Sequence, residues 1–285
     1  MTILVTGASG LLGSHLMAQL TQTRHRIIAA IMPIEKETYQ PLEGVEVVLN
    51  DAIFAGKVQG VDVVINCAFS RSNNAEDLAA GLDFTEKLLK GFELCRVKAV
   101  INISSQGVYK RLPAHELSTE DSPIEPMDLY SMAKYAVEKL FLLSSIPYVT
   151  NVRLASLNMK QRFLYKFIES VQNGLPIALN SPNVYASILD VNDAARALVA
   201  LALTSAEKWE KTYNLGLGTQ YSLAEYARFV QQVGEQYGYH ASIEINDNGN
   251  NSTAGMSITR LQALTNWKPE VNPQEMIANY FEKKY

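Results

Sequence analysis

A glycine-rich turn close to the start of the chain constrains the fold more than any other feature. The apolar run of residues 3–6 is followed at once by Gly7, Gly10 and Gly13, and then by a helical pattern that runs to about Thr23. In such a turn the first glycine redirects the chain, the second lets backbone approach a pyrophosphate, and the third lets the helix pack closely on the strand. Amides at the helix N-terminus can then bind phosphate oxygens. A tight turn without a ligand needs similar glycines, but the position directly after the first strand favours dinucleotide binding.

Strand-like and helical patterns alternate through the first half of the chain. The predicted strands cover residues 3–6, 27–31, 45–49, 61–66, 99–103 and 148–154, and the longest predicted helix covers residues 75–94. This alternation predicts an α/β fold with a right-handed, doubly wound parallel sheet. After residue 154 the pattern is less regular. Helices are predicted at 162–173 and 192–204, the second returning to the main sheet, and extended segments at 186–190 and 213–215.

Three segments in the second half carry clear local signals. Ser222 and Glu225 form a capping-box pattern that predicts the start of a helix. Asn272 followed by Pro273 predicts the start of the final helix. Residues 246–255, rich in asparagine and glycine, predict a flexible loop.

The ends of the second and third strands fall where the adenosine half of a dinucleotide would lie. An acid about 20 residues after the glycines commonly binds the ribose hydroxyls of NAD, but this chain has Met32 there, and Glu35 and Lys36 come later. The sequence therefore leaves NAD and NADP open, with NAD the preferred of the two. Asp51, after the third strand, either meets adenine or caps the next short helix. The residues predicted to contact the cofactor are Gly7, Ser9, Gly10, Leu11, Leu12, Gly13, Met32, Asp51, Ala52, Cys67, Ala68, Phe69, Tyr130 and Lys134.

Tyr130 and Lys134 are the residues best suited to acid–base chemistry. Four positions apart on a predicted helix, they lie one turn apart on the same face. An ammonium near a phenol favours the phenolate and lowers its pKa, so that Tyr130 can exchange a proton with a carbonyl or alcohol oxygen. Ser105 follows the fifth strand, where it either caps the chain or donates a hydrogen bond to a substrate oxygen. We therefore predict that Ser105, Tyr130 and Lys134 are catalytic.

Composition argues against several other classes of protein. With 25 basic and 29 acidic residues the chain has a net charge of −4 and no basic stripe, which argues against nucleic acid as a partner. Its two cysteines, Cys67 and Cys95, suggest neither a disulfide framework nor a metal site. The first strand starts almost at Met1, which leaves no room for a signal peptide. No apolar run reaches the ~18–20 residues of a membrane span, so a cytoplasmic protein is expected.

The order of these motifs resembles that of the extended short-chain dehydrogenase/reductases, and most closely the NAD-dependent epimerase/dehydratase family. The matching motifs are Thr6-Gly7-x-x-Gly10-x-x-Gly13, Ser105-x-x-Val108-Tyr109, Tyr130-x-x-x-Lys134, Asp190-Val191-Asn192-Asp193, Tyr213-Asn214-Leu215-Gly216 and Asn266-Trp267-Lys268-Pro269. They run nearly end to end along the chain. The resemblance implies hydride transfer at a secondary alcohol or ketone carbon, with Tyr130 as acid/base, Lys134 on the nicotinamide ribose and Ser105 orienting the reacting oxygen.

The resemblance also implies two domains and, often, a homodimer. The Rossmann domain is expected at residues 1–153 plus 184–208, and a smaller α+β substrate domain at residues 154–183 plus 209–285. The predicted helices near residues 75–94 and 127–144 carry enough apolar residues to pair across a dimer, although the same residues could face the sheet.

Several positions depart from the pattern of that family. Many sugar-nucleotide dehydratases place Asp-Glu after the active-site hydroxyl residue, whereas this chain has Gln106-Gly107, which argues against dehydration. Gly81, Ser156 and Ala186 stand where relatives often carry two asparagines and an arginine. The loss of a cation and an amide weakens the expected binding of a substrate diphosphate. The residues predicted to line the substrate pocket are Arg71, Gln106 and Tyr109.

Three functions are open on the sequence alone. The first is an NAD(P)-dependent oxidoreductase or epimerase that acts on a nucleotide sugar or a similar hydroxyl or carbonyl substrate. The second is an NADPH-dependent reductase of a small non-nucleotide carbonyl compound. The third is a non-catalytic NAD(P)-sensing protein, against which the intact Ser105, Tyr130 and Lys134 argue, because a sensor needs the glycines alone.

Overall fold

The computed structural model describes residues 1–113, 115–158 and 163–282. The strands are β1 (Thr2–Thr6), β2 (Arg26–Ile31), β3 (Val45–Leu49), β4 (Val63–Asn66), β5 (Ala99–Ser105), β6 (Tyr148–Leu154), β7 (Ser156–Leu157), β8 (Ile177–Leu179), β9 (Tyr185–Ala186), β10 (Ile188–Leu189), β11 (Thr212–Leu215), β12 (Tyr221–Ser222) and β13 (Ile243–Ile245). The helices are α1 (Leu11–Leu20), α2 (Asn50–Phe54), α3 (Ala75–Leu94), α4 (Leu129–Leu142), α5 (Phe163–Gln172), α6 (Val191–Ala202), α7 (Leu223–Gln236), α8 (Thr259–Thr265) and α9 (Pro273–Phe281). Short 3₁₀ turns occupy Pro33–Glu35, Gln106–Val108 and Ala206–Lys208.

Seven parallel strands form the central sheet in the order β11-β6-β5-β4-β1-β2-β3. This confirms the predicted doubly wound α/β fold. Helices α1 and α6 pack on one face, and α2, α3 and α4 pack on the other, so the inner strands are apolar along their length. The chain order reverses between β1 and β4. The crevice at the carboxyl ends of these two strands is therefore the place where such sheets bind ligands.

Most predicted element positions are confirmed, and most of the differences lie at element ends. β3, β6 and α3 occupy the predicted residues. The fifth strand does not end at residue 103, because Ser104 and Ser105 also pair with β6. α1 ends at Leu20, before the predicted Thr23. The predicted strand at 186–190 is two short strands in different sheets, since β9 pairs with β12 and β10 pairs with β7.

The helix signals in the second half are confirmed by side-chain caps. The Ser222 hydroxyl accepts a hydrogen bond from the Glu225 amide at 3.1 Å and begins α7. Asn272 caps α9, which has Pro273 at its first position. The helix predicted at 162–173 is α5, and Arg162 lies outside the described residues.

A second core lies apart from the central sheet. Helices α5, α7 and α9 enclose it together with β8 and β10. β11 falls in the smaller domain by the predicted boundary, but it pairs with β6, and its Tyr213 and Leu215 are buried in the large core. Leu261 and Trp267 join the same large core from the C-terminal part of the chain.

A row of buried polar side chains crosses the central sheet. The Thr6 hydroxyl donates to Asn66 Oδ1 at 2.6 Å, and Asn66 Nδ2 donates to Asn102 Oδ1 at 2.9 Å. Asn102 Nδ2 then donates to Asn151 Oδ1 at 2.7 Å. These side chains meet because their residues are direct partners across β1, β4, β5 and β6. Each amide thereby satisfies its neighbour inside an apolar layer.

α4 carries apolar side chains on two sides. Val137 and Phe141 are buried against the sheet, whereas Met132, Leu140 and Leu143 are exposed. The homodimer implied by the resemblance stays a prediction. Among the described helices, none combines the length and apolar character that crossing a membrane requires.

Candidate active site

A cleft of about 530 Å³ lies at the carboxyl edge of the central sheet, which is a usual size for a small-molecule site. Its walls come from the loops after β4 and β5, from the first turns of α4 and from residues 253–256. Ser105, Tyr130 and Lys134 all line this cleft, although Ser105 ends β5 and the other two residues lie on α4. The predicted catalytic residues therefore share one site.

The glycine turn between β1 and α1 has the shape of a phosphate cradle. Gly7 adopts a left-handed φ of +66°, and a Cβ there would lie 3.0 Å from the Ala68 backbone. A Cβ on Gly13 would lie 2.0 Å from the Gly7 carbonyl oxygen, so helix and turn can approach this closely only without side chains. Gly10 caps α1 without a side-chain hydrogen bond, so no side chain covers the first amides of the helix at this cap. These features fit the pyrophosphate of a bound dinucleotide.

The other residues predicted to contact the cofactor also lie at this edge of the sheet. Met32 follows β2, and Cys67, Ala68 and Phe69 follow β4. Asp51 and Ala52 lie in the first turn of α2, whose N-cap is Leu49. Asp51 therefore does not cap that helix, and of its two predicted roles only the contact with adenine stays open.

The Phe69 ring contacts both predicted catalytic residues of α4, Tyr130 and Lys134. Its ring centroid lies 4.6 Å from Lys134 Nζ and 6.2 Å from the centroid of the Tyr130 ring. Asp128 caps α4 by accepting a hydrogen bond from the Ser131 amide at 2.8 Å, and Asn73 Oδ1 accepts one from the Tyr130 amide at 3.1 Å. The start of α4, and with it the Tyr130 backbone, is thus fixed on two sides.

Lys134 is buried at 4% exposure, and its environment changes its acidity. Burial lowers the pKa of Lys134 from 10.5 to about 8, although the charge of Glu138 opposes this shift. Burial also raises the pKa of the Cys67 thiol to about 12, so the thiol is neutral at pH 7. An amine that titrates near pH 8, one helical turn from Tyr130 and against the same Phe69 ring, suits proton exchange close to neutrality.

Ser105 is held beside α4 by a tight turn. Its hydroxyl accepts a hydrogen bond from the Gly107 amide at 3.1 Å. A Cβ on Gly107 would lie 2.3 Å from the Ser131 hydroxyl, so only glycine lets this turn pack so closely on α4. The hydroxyl hydrogen of Ser105 can still point into the cleft and donate to an oxygen there.

A buried ion pair beneath the cleft was not predicted from the sequence. Arg153 donates to both carboxylate oxygens of Glu138, at 2.9 and 2.8 Å, and the Ser104 hydroxyl donates to Glu138 at 2.6 Å. The Arg153 guanidinium also lies 4.7 Å from the centroid of the Tyr109 ring. Glu138 follows Lys134 by one helical turn, and this spacing is the sequence signal that could have identified it.

The three residues predicted to bind substrate all border the cleft, but they differ in burial. Arg71 and Gln106 line the cleft, and Gln106 Nε2 donates to the Ser156 hydroxyl at 3.2 Å. Tyr109 also borders the cleft, but it is buried and its hydroxyl donates to Asn214 Oδ1 at 2.7 Å. Since its ring also packs on Arg153, Tyr109 supports the cleft wall with both ends of its side chain.

The segment 246–255, predicted as a flexible loop, has no helix or strand but contributes a wall of the cleft. Ser118 donates from its amide to the Gly255 carbonyl at 2.9 Å and accepts from the Ser257 amide at 2.9 Å. Thr253 and Met256 are buried, whereas Ala254 is exposed and lines the cleft. Sequence reasoning missed this wall because its backbone pairing joins residues more than a hundred positions apart.

The charges around the cleft are mostly positive. Among the described residues that line it, the cationic ones are Arg71, Lys110, Arg111 and Lys134, and the acidic one is Asp128. No group of three or more His, Cys, Asp and Glu side chains in the described part of the chain is arranged to hold a metal ion.

A doubly wound parallel sheet with a phosphate cradle at its switch point, beside a cleft with titratable groups, defines a nicotinamide-dinucleotide-dependent enzyme of the Rossmann class. The NAD dependent epimerase/dehydratase family matches residues 3–216. The chain therefore belongs to the NAD-dependent epimerase/dehydratase family. No curated protein sequence matches the chain.

Solved structures with the same fold include several epimerases. The UDP-glucose 4-epimerase of Thermotoga maritima, solved with UDP-glucose, has a TM-score of 0.78 at 17% identity, over 100% of this chain and 99% of its own. The UDP-glucuronic acid 4-epimerase of Bacillus cereus, solved with UDP-glucuronic acid and NAD, has a TM-score of 0.81 at 18% identity, over 100% of both chains. An epimerase of Methanothermobacter thermautotrophicus has a TM-score of 0.78 at 20% identity, over 99% of this chain and 92% of its own.

Proposed function

We propose that the protein is an NAD-dependent epimerase or oxidoreductase that acts at a secondary alcohol or ketone carbon of a nucleotide sugar. The observation that carries this proposal is that Ser105, Tyr130 and Lys134 line one cleft beside the glycine turn. Family membership supports the dependence on NAD. The UDP-sugars named in the similar structures support a nucleotide sugar as substrate.

The three side chains have complementary tasks in such a reaction. The Tyr130 phenolate takes a proton from a substrate hydroxyl, and the phenol so formed returns that proton to the carbonyl oxygen. The Lys134 ammonium favours the phenolate, and the Ser105 hydroxyl donates a hydrogen bond to the reacting oxygen. Bound NAD supplies the hydride acceptor, and the cradle around Gly7 and Gly13 would hold its pyrophosphate.

The charge of the cleft supports an anionic substrate. The protein as a whole carries a net charge of −4, yet Arg71, Lys110 and Arg111 all border the cleft. A positive cleft on an acidic protein attracts a negatively charged ligand such as a nucleoside diphosphate sugar. These cations lie on the loops after β4 and β5, and Lys110 lies 3.4 Å from Glu125. Arg71 and Arg111 therefore offer most of the charge to a diphosphate, even though Ala186 and Ser156 lack the polar side chains that relatives often carry there.

Gln106 favours epimerisation or oxidation over dehydration. Elimination of water needs an acid or base next to the reacting carbon. The residue after Ser105 is an amide, and its Nε2 is hydrogen-bonded to Ser156. An amide does not transfer protons at neutral pH, so the elimination step has no catalyst at this position.

Mass spectrometry of the small molecules released when the purified protein is denatured tests the proposal. We expect tightly retained NAD, and we expect conversion of a UDP-hexose to its epimer without added cofactor, followed by proton NMR. Consumption of NADPH with a simple ketone, and no epimer, would instead support the small-carbonyl reductase. Binding of NAD without turnover of either substrate class would support the sensor.

A further inference from the structure

The Phe69 ring lies on the loop after β4, borders the cleft and reaches both α3 and α4. On the α3 side, a Cβ on Gly81 would lie 3.3 Å from Cε2 of the ring, which is tighter than most side-chain contacts. On the α4 side, the ring contacts Tyr130 and Lys134. Gly81 therefore leaves room for the ring to lie against the two predicted catalytic side chains of α4.

The face of this ring lies against the Lys134 ammonium. Nζ is 4.6 Å from the ring centroid, within the ~6 Å range of a cation–π interaction, and Lys134 is only 4% exposed. Among the described residues no carboxylate forms an ion pair with Lys134, and Glu138, one turn along α4, is bound to Arg153 instead. A desolvated ammonium without a paired carboxylate gains more from the electrons of a ring than an exposed one does.

The same ring also sets the place of the Tyr130 side chain. The two ring centroids lie 6.2 Å apart with an interplanar angle of 60°, which is an edge-to-face contact. Tyr130 and Lys134 are one helical turn apart, so a single aromatic side chain touches both. The contact with Asn73 and the Asp128 cap hold the backbone of this turn, whereas Phe69 holds its side chains.

We infer that Phe69 is a positioning residue for the proton-transfer pair: its face keeps the Lys134 ammonium charged, and its contact with the Tyr130 ring keeps the phenol next to that charge. Phe69 itself takes no part in a chemical step. The kinetic consequence rests on the proposed function. The contact between ring and ammonium exists without a substrate, so it can be tested without one.

Removal of the ring should make the Lys134 ammonium lose its proton at a lower pH. The other titratable groups near Lys134 do not replace the ring. Burial raises the pKa of the Cys67 thiol to about 12, so that thiol is neutral, and Glu138 already favours the ammonium in the wild-type protein. Loss of a desolvated cation–π contact should increase the acidity of the Lys134 ammonium about tenfold.

The pH dependence of kcat/KM for a UDP-hexose tests the kinetic consequence. In Phe69→Leu the alkaline fall in kcat/KM should lie about one pH unit lower than in the wild-type protein. Phe69→Tyr retains the ring face and should retain the wild-type profile. Phe84→Leu is the matched control and should also keep that profile, because Phe84 lies on α3, packs on Phe54 and does not line the cleft.

Unfolding in urea tests the contact without a substrate. Between pH 6 and pH 10 the Lys134 amine of the folded protein changes from charged to neutral, because its pKa is about 8. Phe69→Leu should therefore increase the equilibrium constant for unfolding about tenfold more at pH 6 than at pH 10, since the lost packing is the same at both values. In a Lys134→Met background the effect of Phe69→Leu should be equal at the two pH values.

Phe69→Met also lacks a ring face and should reproduce both results, which keeps the test decisive if the leucine variant does not fold. An alkaline fall that stays in place or moves to higher pH in these variants, or an unfolding effect that does not depend on pH, would overturn the inference. Equal impairment of Phe69→Tyr and Phe69→Leu would do the same. Absence of epimerisation by the wild-type protein, together with the pH-dependent unfolding effect, would instead contradict the proposed function alone.

Discussion

Tyr130 performs the proton transfer in the proposed reaction, and phenylalanine at this position removes only the hydroxyl. We expect Tyr130→Phe to lower kcat by about 10²–10⁴-fold, as for loss of a general acid–base group. NAD should still bind, because the ring keeps its contact with Phe69. Steady-state kinetics and calorimetric titration measure the two effects. Tyr135→Phe, on the same helix and half-buried, should retain activity, and an equally active Tyr130→Phe would refute the assignment.

Burial of the Lys134 amine lowers the free energy of unfolding of the protein. Its pKa is about 8 in the folded protein, against 10.5 for an ordinary lysine, so the unfolded chain binds more protons between these two values. The resulting loss of folding stability is complete below pH 8 and disappears as the pH rises toward 10.5. It amounts to about 3 kcal/mol at pH 7.

Lys134→Met should therefore stabilise the cofactor-free protein at pH 7, by about 1–3 kcal/mol, while it abolishes turnover. The gain should shrink as the pH is raised above 8. Chemical unfolding in urea between pH 7 and pH 10 measures this dependence. Lys139→Met, an exposed position on the same helix, serves as the control, and a pH-independent gain in Lys134→Met would contradict the buried-amine explanation.

At the scale of elements, the row of buried polar side chains across the sheet links four neighbouring strands, β1, β4, β5 and β6, by hydrogen bonds. Replacing Asn102 by leucine keeps the branching at Cγ, although leucine is larger, and leaves Asn66 Nδ2 and Asn151 Oδ1 without their partners. Each orphaned buried group costs about 1–3 kcal/mol, so the two groups together should lower the free energy of unfolding of Asn102→Leu by about 2–6 kcal/mol. Denaturation in urea gives the value.

Thr150→Val is the matched control for this row. Thr150 lies on β6, next to Asn151, and is fully buried, but its hydroxyl has no hydrogen-bond partner among the described residues. Removing this hydroxyl should be neutral or slightly stabilising. If both variants proved equally destabilising, packing and not the hydrogen-bonded row would determine the stability of these strands.

Local signals account for the elements that the sequence predicts well. α3 begins at the Asn74 cap, which accepts hydrogen bonds from the Glu76 and Asp77 amides, and β3 and β6 are continuous β-prone runs between turn residues. The end of β5 was harder to predict, because serine is not a strand-forming residue and its pairing with β6 is set by the fold. β11 could not be assigned to the central sheet from the sequence, since parallel pairing with β6 joins segments about sixty residues apart.

At the scale of the whole molecule, only part of the candidate site can be predicted from the sequence. The spacing of Tyr130 and Lys134 and the glycine turn are local patterns, so the sequence predicts them. The partnership of Glu138 with Arg153, and the wall formed by residues 253–256, depend on distant segments that come together only on folding.

The contrast between an acidic protein and a cationic cleft leads to a prediction about salt. The KM for a nucleotide sugar should rise with ionic strength, because salt screens charges beyond about 10 Å at 0.1 M. Lys110→Gln and Arg111→Gln should each flatten this dependence, since both residues border the cleft. Lys87→Gln, exposed on α3 and away from the cleft, should leave it unchanged. A salt-independent KM in the wild-type protein would argue against an anionic substrate.

The wall at residues 253–256 is anchored by main-chain hydrogen bonds between Ser118 and both Gly255 and Ser257. Main-chain bonds persist whatever side chain a residue carries. A Cβ on Gly255 would lie 2.5 Å from the end of the Leu117 side chain, which would have to move, whereas Ala254 is exposed and lines the cleft. Substitution of Ala254 can therefore change which compounds fit the cleft while the fold stays the same. New substrate preferences can arise at this position, by natural variation or by design, without loss of stability.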